Sequence, residues 1–323
     1  MLGDKGQRAI SHEHIIAAET LIDPVFRGTP VITHPGLDRE LGARLILKDE
    51  TANPIGSFKG RGAEHFAATR DLSGCELVCA SAGNFGQGLA RAGVKRGATV
   101  KVFVSTAANP FKIARMRELG AAITVAGEDF DAANAAAKAY AAANRLDYVE
   151  DASYPEIAEG AGTLAKELTD AGHRPDVFFV PVGGAALANG VGCWLKHAAP
   201  GCEVVGVVAE GAPAYKLSFE AGRVIETETA NTIADGIAIR APVAVSLAAM
   251  RLTIDRLVVV SDAEILAALK LLHATTGVFV ETAGAAGIAA ALRYREAYAG
   301  KLVATVLCGG NLTPEQKREW LGV

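Results

Sequence analysis

Short apolar, β-prone runs alternate with longer alanine-rich stretches of helical period along nearly all of this 323-residue chain. That alternation restricts the fold more than any other feature. The runs at 45–48, 76–80, 100–104, 121–125, 177–181, 203–209 and 302–307 are strand-like, and several are apolar on both faces, as expected for parallel strands covered by helices on each side. Between them the periodicity predicts helices near 57–70, 84–96, 109–119, 130–144, 160–171, 186–198, 262–275 and 284–298. Strands separated by helices join through right-handed crossovers, so the chain is expected to be α/β, with open, twisted, mostly parallel sheets flanked by helices. The β-α-β-α-β-α stretch within 71–150 can form a small sheet of its own. Residues 1–70 and 151–323 then make one larger domain into which 71–150 is inserted. The stretch 211–242 reads as the least regular.

Charge and cysteine usage narrow the function classes. The 32 basic and 36 acidic residues leave a net charge of −4, and no basic run or aromatic-interleaved patch points to nucleic acid. The five cysteines (Cys75, Cys79, Cys193, Cys202 and Cys308) are odd in number. None forms a C-x-x-C pair or lies at ligand spacing from a histidine, so neither a disulfide framework nor a metal site is expected. The first fifteen residues lack the apolar stretch of a signal peptide, and nowhere do 18 apolar residues run in succession. The expectation is a cytoplasmic protein without a membrane span.

Ligands of open α/β sheets bind beyond the carboxyl ends of strands, where loops lead into helices. Four such turns carry unusual residues. After LKDE, the segment Asn53 to Ala63 makes a turn at Pro54 and Gly56, offers Ser57 as a helix cap, and sets Lys59 in the first helical turn. A cation is oddly placed there, against the positive end of the helix dipole. After 76–80, Ser81, Ala82, Gly83 and Asn84 could turn their N–H groups on an anion. After 177–181, Gly183, Gly184, Ala185, Ala186 and Leu187 make a phosphate cradle that has neither the P-loop lysine nor a G-x-G-x-x-G pattern. After 302–307 comes Cys308, at a strand end facing the same crevice. Each turn taken singly is as compatible with ordinary helix packing as with a ligand.

In order along the chain stand TP at 29–30, LKDE at 47–50, GSFKGRGA at 56–63, SAGNFGQG at 81–88 and GAGT at 160–163. PVGGAAL at 181–187, TIADGIA at 232–238, ETAGAAG at 281–287 and CGGN at 308–311 follow. This series resembles the threonine/serine dehydratase (ammonia-lyase) and serine racemase family, pyridoxal-phosphate enzymes of fold type II, built like the tryptophan synthase β-subunit. The resemblance implies pyridoxal 5'-phosphate as cofactor. It makes Lys59 the residue that carries the cofactor as a Schiff base and later moves the Cα proton, with Phe58 beside the ring. It places Asn84 on the ring's 3'-oxygen, Ser81 to Asn84 around the substrate carboxylate, Gly183 to Leu187 on the phosphate, and Cys308 against the pyridine nitrogen. A neutral thiol there, in place of an aspartate, leans the chemistry toward expelling a β-substituent.

The implied reaction converts a β-hydroxy amino acid such as L-threonine or L-serine to a 2-oxo acid and ammonia, in a homodimer or homotetramer. Dehydration of 3-hydroxyaspartate, β-replacement and racemisation remain alternatives, as does a cofactor-binding protein that has lost catalysis. For the second carboxylate of hydroxyaspartate, Arg61 and Arg240 are candidate cations. The pattern also departs from the family. Ala82 stands where the racemases carry a serine, which argues against racemisation. Ala185 and Ala186 replace glycines, so the cradle is expected to form without left-handed backbone at both positions. Phe85 replaces a histidine. At the family's cation site Lys216 replaces an aspartate, so a Lys216–Glu210 pair is expected instead of a metal. The twelve residues after Asn311 leave no room for a regulatory domain, so feedback inhibition is not expected.

Overall fold

The computed structural model describes residues 8–81 and 83–323. Among these described residues ten strands form two sheets. β1 (Val31–Ile32), β2 (Arg44–Asp49), β7 (Val177–Pro181), β8 (Glu203–Ala209), β9 (Arg256–Val260) and β10 (Leu302–Leu307) make a six-stranded sheet in the order β1-β2-β10-β7-β8-β9. Only β1 runs antiparallel to its neighbour in that sheet. β3 (Glu76–Ala80), β4 (Thr99–Val104), β5 (Ala122–Val125) and β6 (Asp147–Tyr148) make a second, all-parallel sheet in the order β5-β4-β3-β6. The expected two-sheet α/β architecture is present.

Burial explains why the central strands lack polar alternation. Every residue of β7 is buried, as are Val204 to Ala209 of β8 and Val303 to Leu307 of β10. The helices Ala186–Ala198 and Thr282–Arg293 contribute Leu187, Val191, Leu195, Ile288 and Ala289 to the same core. Over the smaller sheet, the alanine-rich helix Phe130–Asn144 buries Ala133, Ala137 and Ala141, one residue per turn. Small side chains at that spacing let the helix lie close to the strands.

Several elements differ from the sequence expectation. The helix expected from 160 begins at Pro155, whose fixed φ suits a first helical turn. β9 completes one edge of the large sheet although its run, RLVVV, was not among the expected strands. The helix Ala214–Ala221 lies inside the stretch read as irregular. Helices His12–Leu21, Pro35–Leu41, Ala244–Thr253 and Pro314–Leu321 were not foreseen. The strand ends that matter are those of β2, β3, β7 and β10, whose following turns converge on one crevice.

Candidate active site

The turn after β2 is shaped by one side chain. Asn53 donates through Nδ2 to the carbonyls of Glu50 (2.7 Å) and Ser57 (3.1 Å), and its Oδ1 accepts from the N–H of Ile55 (3.1 Å). The turn is then stitched to the one after β10. The Phe58 N–H and the Ser57 hydroxyl both donate to the Cys308 carbonyl, each at 3.1 Å. Ser57 was expected to cap the helix. Phe58 holds the cap position instead, while the Ser57 hydroxyl donates to the Cys308 carbonyl and accepts from the Lys59 N–H at 3.4 Å.

Lys59 is the first residue of the helix Lys59–Ala68. Its Nζ pairs with Asp151 and lies 4.9 Å from the centre of the Phe58 ring and 5.9 Å from that of Phe85. Two residues on, fully buried Arg61 anchors the helix. Its guanidinium binds Glu50 (2.8 and 2.9 Å), Glu167 (2.7 and 2.9 Å) and the hydroxyls of Thr29 (3.1 Å) and Thr163 (3.0 Å). Arg61 is therefore committed to the scaffold. Arg240 pairs with Asp131 at 2.8 Å. Of the two candidate cations for a second substrate carboxylate, Arg61 is thus committed, while Arg240 sits in an exposed pair.

In the turn after β3, the Ser81 hydroxyl accepts from the N–H groups of Gly83 (3.1 Å) and Gly86 (2.9 Å). Ala82 lies outside the described residues. Asn84 opens the next helix. Its Nδ2 donates to Glu281 (2.7 Å), and its Oδ1 accepts from Asn311 (2.8 Å), a residue of the turn after β10. Buried Glu281 also faces Lys112 Nζ (3.0 Å), which in turn binds Asp235 (2.6 Å). Burial works against the Lys112 ammonium, but Glu281 and Asp235 together outweigh it and hold the group above the usual lysine range. Burial likewise pushes the Glu281 carboxyl up, with Lys112 pulling the other way.

The turn after β7 has the features of an anion cradle. Gly183, Gly184 and Ala185 precede the 13-residue helix Ala186–Ala198. Among the described residues no group accepts from the backbone N–H of any of these three. Orphan donors at the start of a helix are what an anion requires. A side chain on Gly183 would place its Cβ 2.3 Å from the Gly236 carbonyl, and one on Gly184 would reach within 2.8 Å of Asp151. The expectation for the two alanines fails at one position. Ala185 adopts left-handed backbone (φ 69°, ψ −2°), while Ala186 is helical. An alanine held there costs about 1–2 kcal/mol, and the strain is concentrated in the cradle.

Cys308 closes the site at the end of β10. Burial, reinforced by the charge of Glu281, pushes its thiol up to about 12, so it is neutral at any physiological pH. The expected Lys216–Glu210 pair is absent. Lys216 pairs with Glu220 one helical turn along its own helix, and Glu210 is exposed.

The crevice thus joins Lys59, Ser81, Gly83 and Asn84, the Gly183–Leu187 turn and Cys308. Asp151, Lys112, Asp235, Glu281 and Asn311 have no role in the sequence reading. Three of these lay inside the quoted TIADGIA, ETAGAAG and CGGN segments, where the signal was present but unassigned.

Pyridoxal phosphate fits this arrangement on structural grounds. There is an amine at Lys59, a donor-lined turn for a dianion, an aromatic wall at Phe58 and a neutral thiol at Cys308. Residues 22–309 match the family model of pyridoxal-phosphate-dependent enzymes. The chain is 33% identical over 307 residues to an L-threonine ammonia-lyase of Thermotoga maritima, covering 94% of this chain and 76% of that protein. It is 28% identical to a Pseudomonas L-threo-3-hydroxyaspartate ammonia-lyase, covering 95% and 97% of the two. Maize serine racemase superposes with a TM-score of 0.90 at 25% identity over 97% of each chain. The chain therefore belongs to the pyridoxal-phosphate-dependent enzymes of fold type II, within the threonine/serine dehydratase family.

Proposed function

We propose that the protein eliminates water from a β-hydroxy amino acid such as L-threonine or L-serine, giving a 2-oxo acid and ammonia. The observation that carries this reading is the convergence of Lys59 Nζ, the orphan N–H groups of Gly183 to Ala185 and the asparagine turn on one crevice. Bound pyridoxal phosphate supplies an aldehyde for an amine and an electron sink for charge developing at Cα. Lys59 would hold it, with Phe58 and Asn84 along its ring, Gly183 to Leu187 on its phosphate and Cys308 at its nitrogen. Ser81, Gly83 and Asn84, with Ala82 between them, would hold the substrate carboxylate. The Lys59 amine takes the Cα proton, and the β-hydroxyl takes up one proton and leaves as water, so one proton is gained and one consumed within the site. Positioned acid–base groups of this kind contribute about 10²–10⁴-fold. Because Cys308 is a neutral thiol, the site offers no charged partner to stabilise a long-lived carbanion, and loss of the β-group is favoured.

Dehydration of 3-hydroxyaspartate is the second reading, favoured by the end-to-end match to the Pseudomonas relative. Against it, Arg61 is committed to the scaffold and Lys112 is already enclosed by two carboxylates. Alanine at position 82 offers no proton for racemisation. The reading extends to a homodimer or homotetramer in the cytoplasm, with residues 71–150 forming a small domain inserted into 1–70 and 151–323. Among the described residues no helix is long and apolar enough to cross a membrane. Incubating the cofactor-loaded protein with L-threonine, L-serine and both 3-hydroxyaspartate diastereomers, and measuring 2-oxo acid, tests the proposal. Release from threonine or serine is expected, and silence on all four substrates would refute it.

A further inference from the structure

The turn after β7 is tied from behind by a side chain that lies outside it. Tyr215, in the helix Ala214–Ala221, is buried. Its hydroxyl donates to the Gly184 carbonyl (3.3 Å) and accepts from the N–H of Val243 (3.2 Å), the residue before the helix Ala244–Thr253. Burial pushes the phenol well above its usual range, so it remains a donor at any physiological pH. Among the described residues no other group donates to the Gly184 carbonyl, since the following helix begins its own bonding with Asn189 N–H on the Ala185 carbonyl (2.9 Å). A trans peptide points its C=O and N–H in opposite directions. Holding the Gly184 carbonyl on Tyr215 therefore turns the Ala185 N–H, the other half of the same peptide unit, away from Tyr215. That N–H has no acceptor among the described residues. The orientation of this peptide also sets the φ of Ala185, which is left-handed at 69°. An alanine stays in that region only where its surroundings impose it.

We propose that Tyr215 is a positioning residue for the cofactor phosphate: by holding the Gly184 carbonyl it keeps Ala185 left-handed and presents the Ala185 N–H to the anion. The inference rests on the cofactor reading above. Released from the hydroxyl, the peptide between Gly184 and Ala185 can turn over. Ala185 then returns to a negative φ, its N–H points inward, and the Gly184 carbonyl faces the phosphate, where its negative end repels the anion. The hydroxyl thus acts on the phosphate through the backbone and touches neither the aldehyde nor the substrate.

Titration with pyridoxal phosphate and with pyridoxal, which has the same ring and aldehyde but no phosphate, separates this role from a general structural one. Absorbance of the bound species gives both affinities. Tyr215→Phe keeps the ring and removes the hydroxyl. It should weaken pyridoxal phosphate about tenfold and leave pyridoxal within about twofold of the wild type. Inorganic phosphate, measured as a competitor of pyridoxal phosphate, should weaken in step. Adding Ala185→Gly to Y215F should recover most of the loss, because glycine takes left-handed backbone without strain. Unchanged affinity for pyridoxal phosphate in Y215F overturns the proposal. So does an equal loss for pyridoxal, which would mark a structural role, and so does a double variant no better than Y215F. A wild-type protein that binds neither aldehyde would instead strike the cofactor reading itself.

Discussion

Replacing Arg61 by methionine removes the charge at the centre of the network that fixes the start of the Lys59 helix. Arg61 is fully buried and supplies every charged contact of Glu50, whose side chain is also fully buried. Glu167 would keep Lys48 at 2.7 Å. Glu50 would keep only the Thr29 hydroxyl at 2.6 Å among the described residues. A buried carboxylate stripped of its partner costs about 3–5 kcal/mol, a large share of the 5–15 kcal/mol typical of a folded protein. Urea unfolding followed by Trp194 fluorescence suits the measurement, because Trp194 is buried with its Nε1 on Thr169 (2.8 Å), in the helix packed beside the one that carries Glu167. The R61M variant should lose about 4 kcal/mol, and R61M/E50Q should recover most of it, because an amide needs no counter-ion. A loss under about 1 kcal/mol, or a double variant no better than the single, would show that the network does not carry this load.

Two further outcomes follow from the geometry. Burial pushes the Glu167 carboxyl up, yet the hydrogen bond and charge of Arg61, helped by Lys48, win and hold it down to about 2 against an ordinary 4.5. The folded pKa is depressed, so this contribution is complete above about pH 4.5 and lost as pH falls toward 2. At 1.4 kcal/mol per pH unit it amounts to about 3 kcal/mol, and acid titration of stability should show a loss in that window that shrinks in R61M. Gly183→Ala would drive a Cβ to 2.3 Å from the Gly236 carbonyl. Overpacking of about 1–3 kcal/mol placed in the cradle should weaken pyridoxal phosphate binding about tenfold or more, while circular dichroism reports an unchanged fold.

The parts of the site legible in the sequence are those made by local chemistry. Small residues between a strand and a helix at 81–84 and 183–187, and a lysine in a first helical turn, are patterns a few residues long. The charged partners are long-range. Lys59 meets Asp151 across 92 residues, Lys112 meets Asp235 across 123, and Asn84 meets Glu281 across 197. No spacing rule reaches that far. Ala185 shows the opposite limit. Its residue type argues against left-handed backbone, and the surrounding turn imposes it regardless. In the fold, the alternating pattern exposed the central strands because burial on both faces removes their polar residues. β9 was equally apolar and lay just before the Ser261–Glu264 capping box, so its signal was present and unused. The two-residue strands β1 and β6 carry too little pattern to be read at all.

The central claim is that Lys59 is the amine that captures pyridoxal phosphate. Borohydride reduction of the cofactor-treated protein, followed by peptide mass mapping, tests it directly. The account predicts one pyridoxyl group per chain, on the peptide carrying Lys59, and none in Lys59→Ala. A label on Lys112, the other lysine at the crevice, or no label on the wild-type chain, would contradict it.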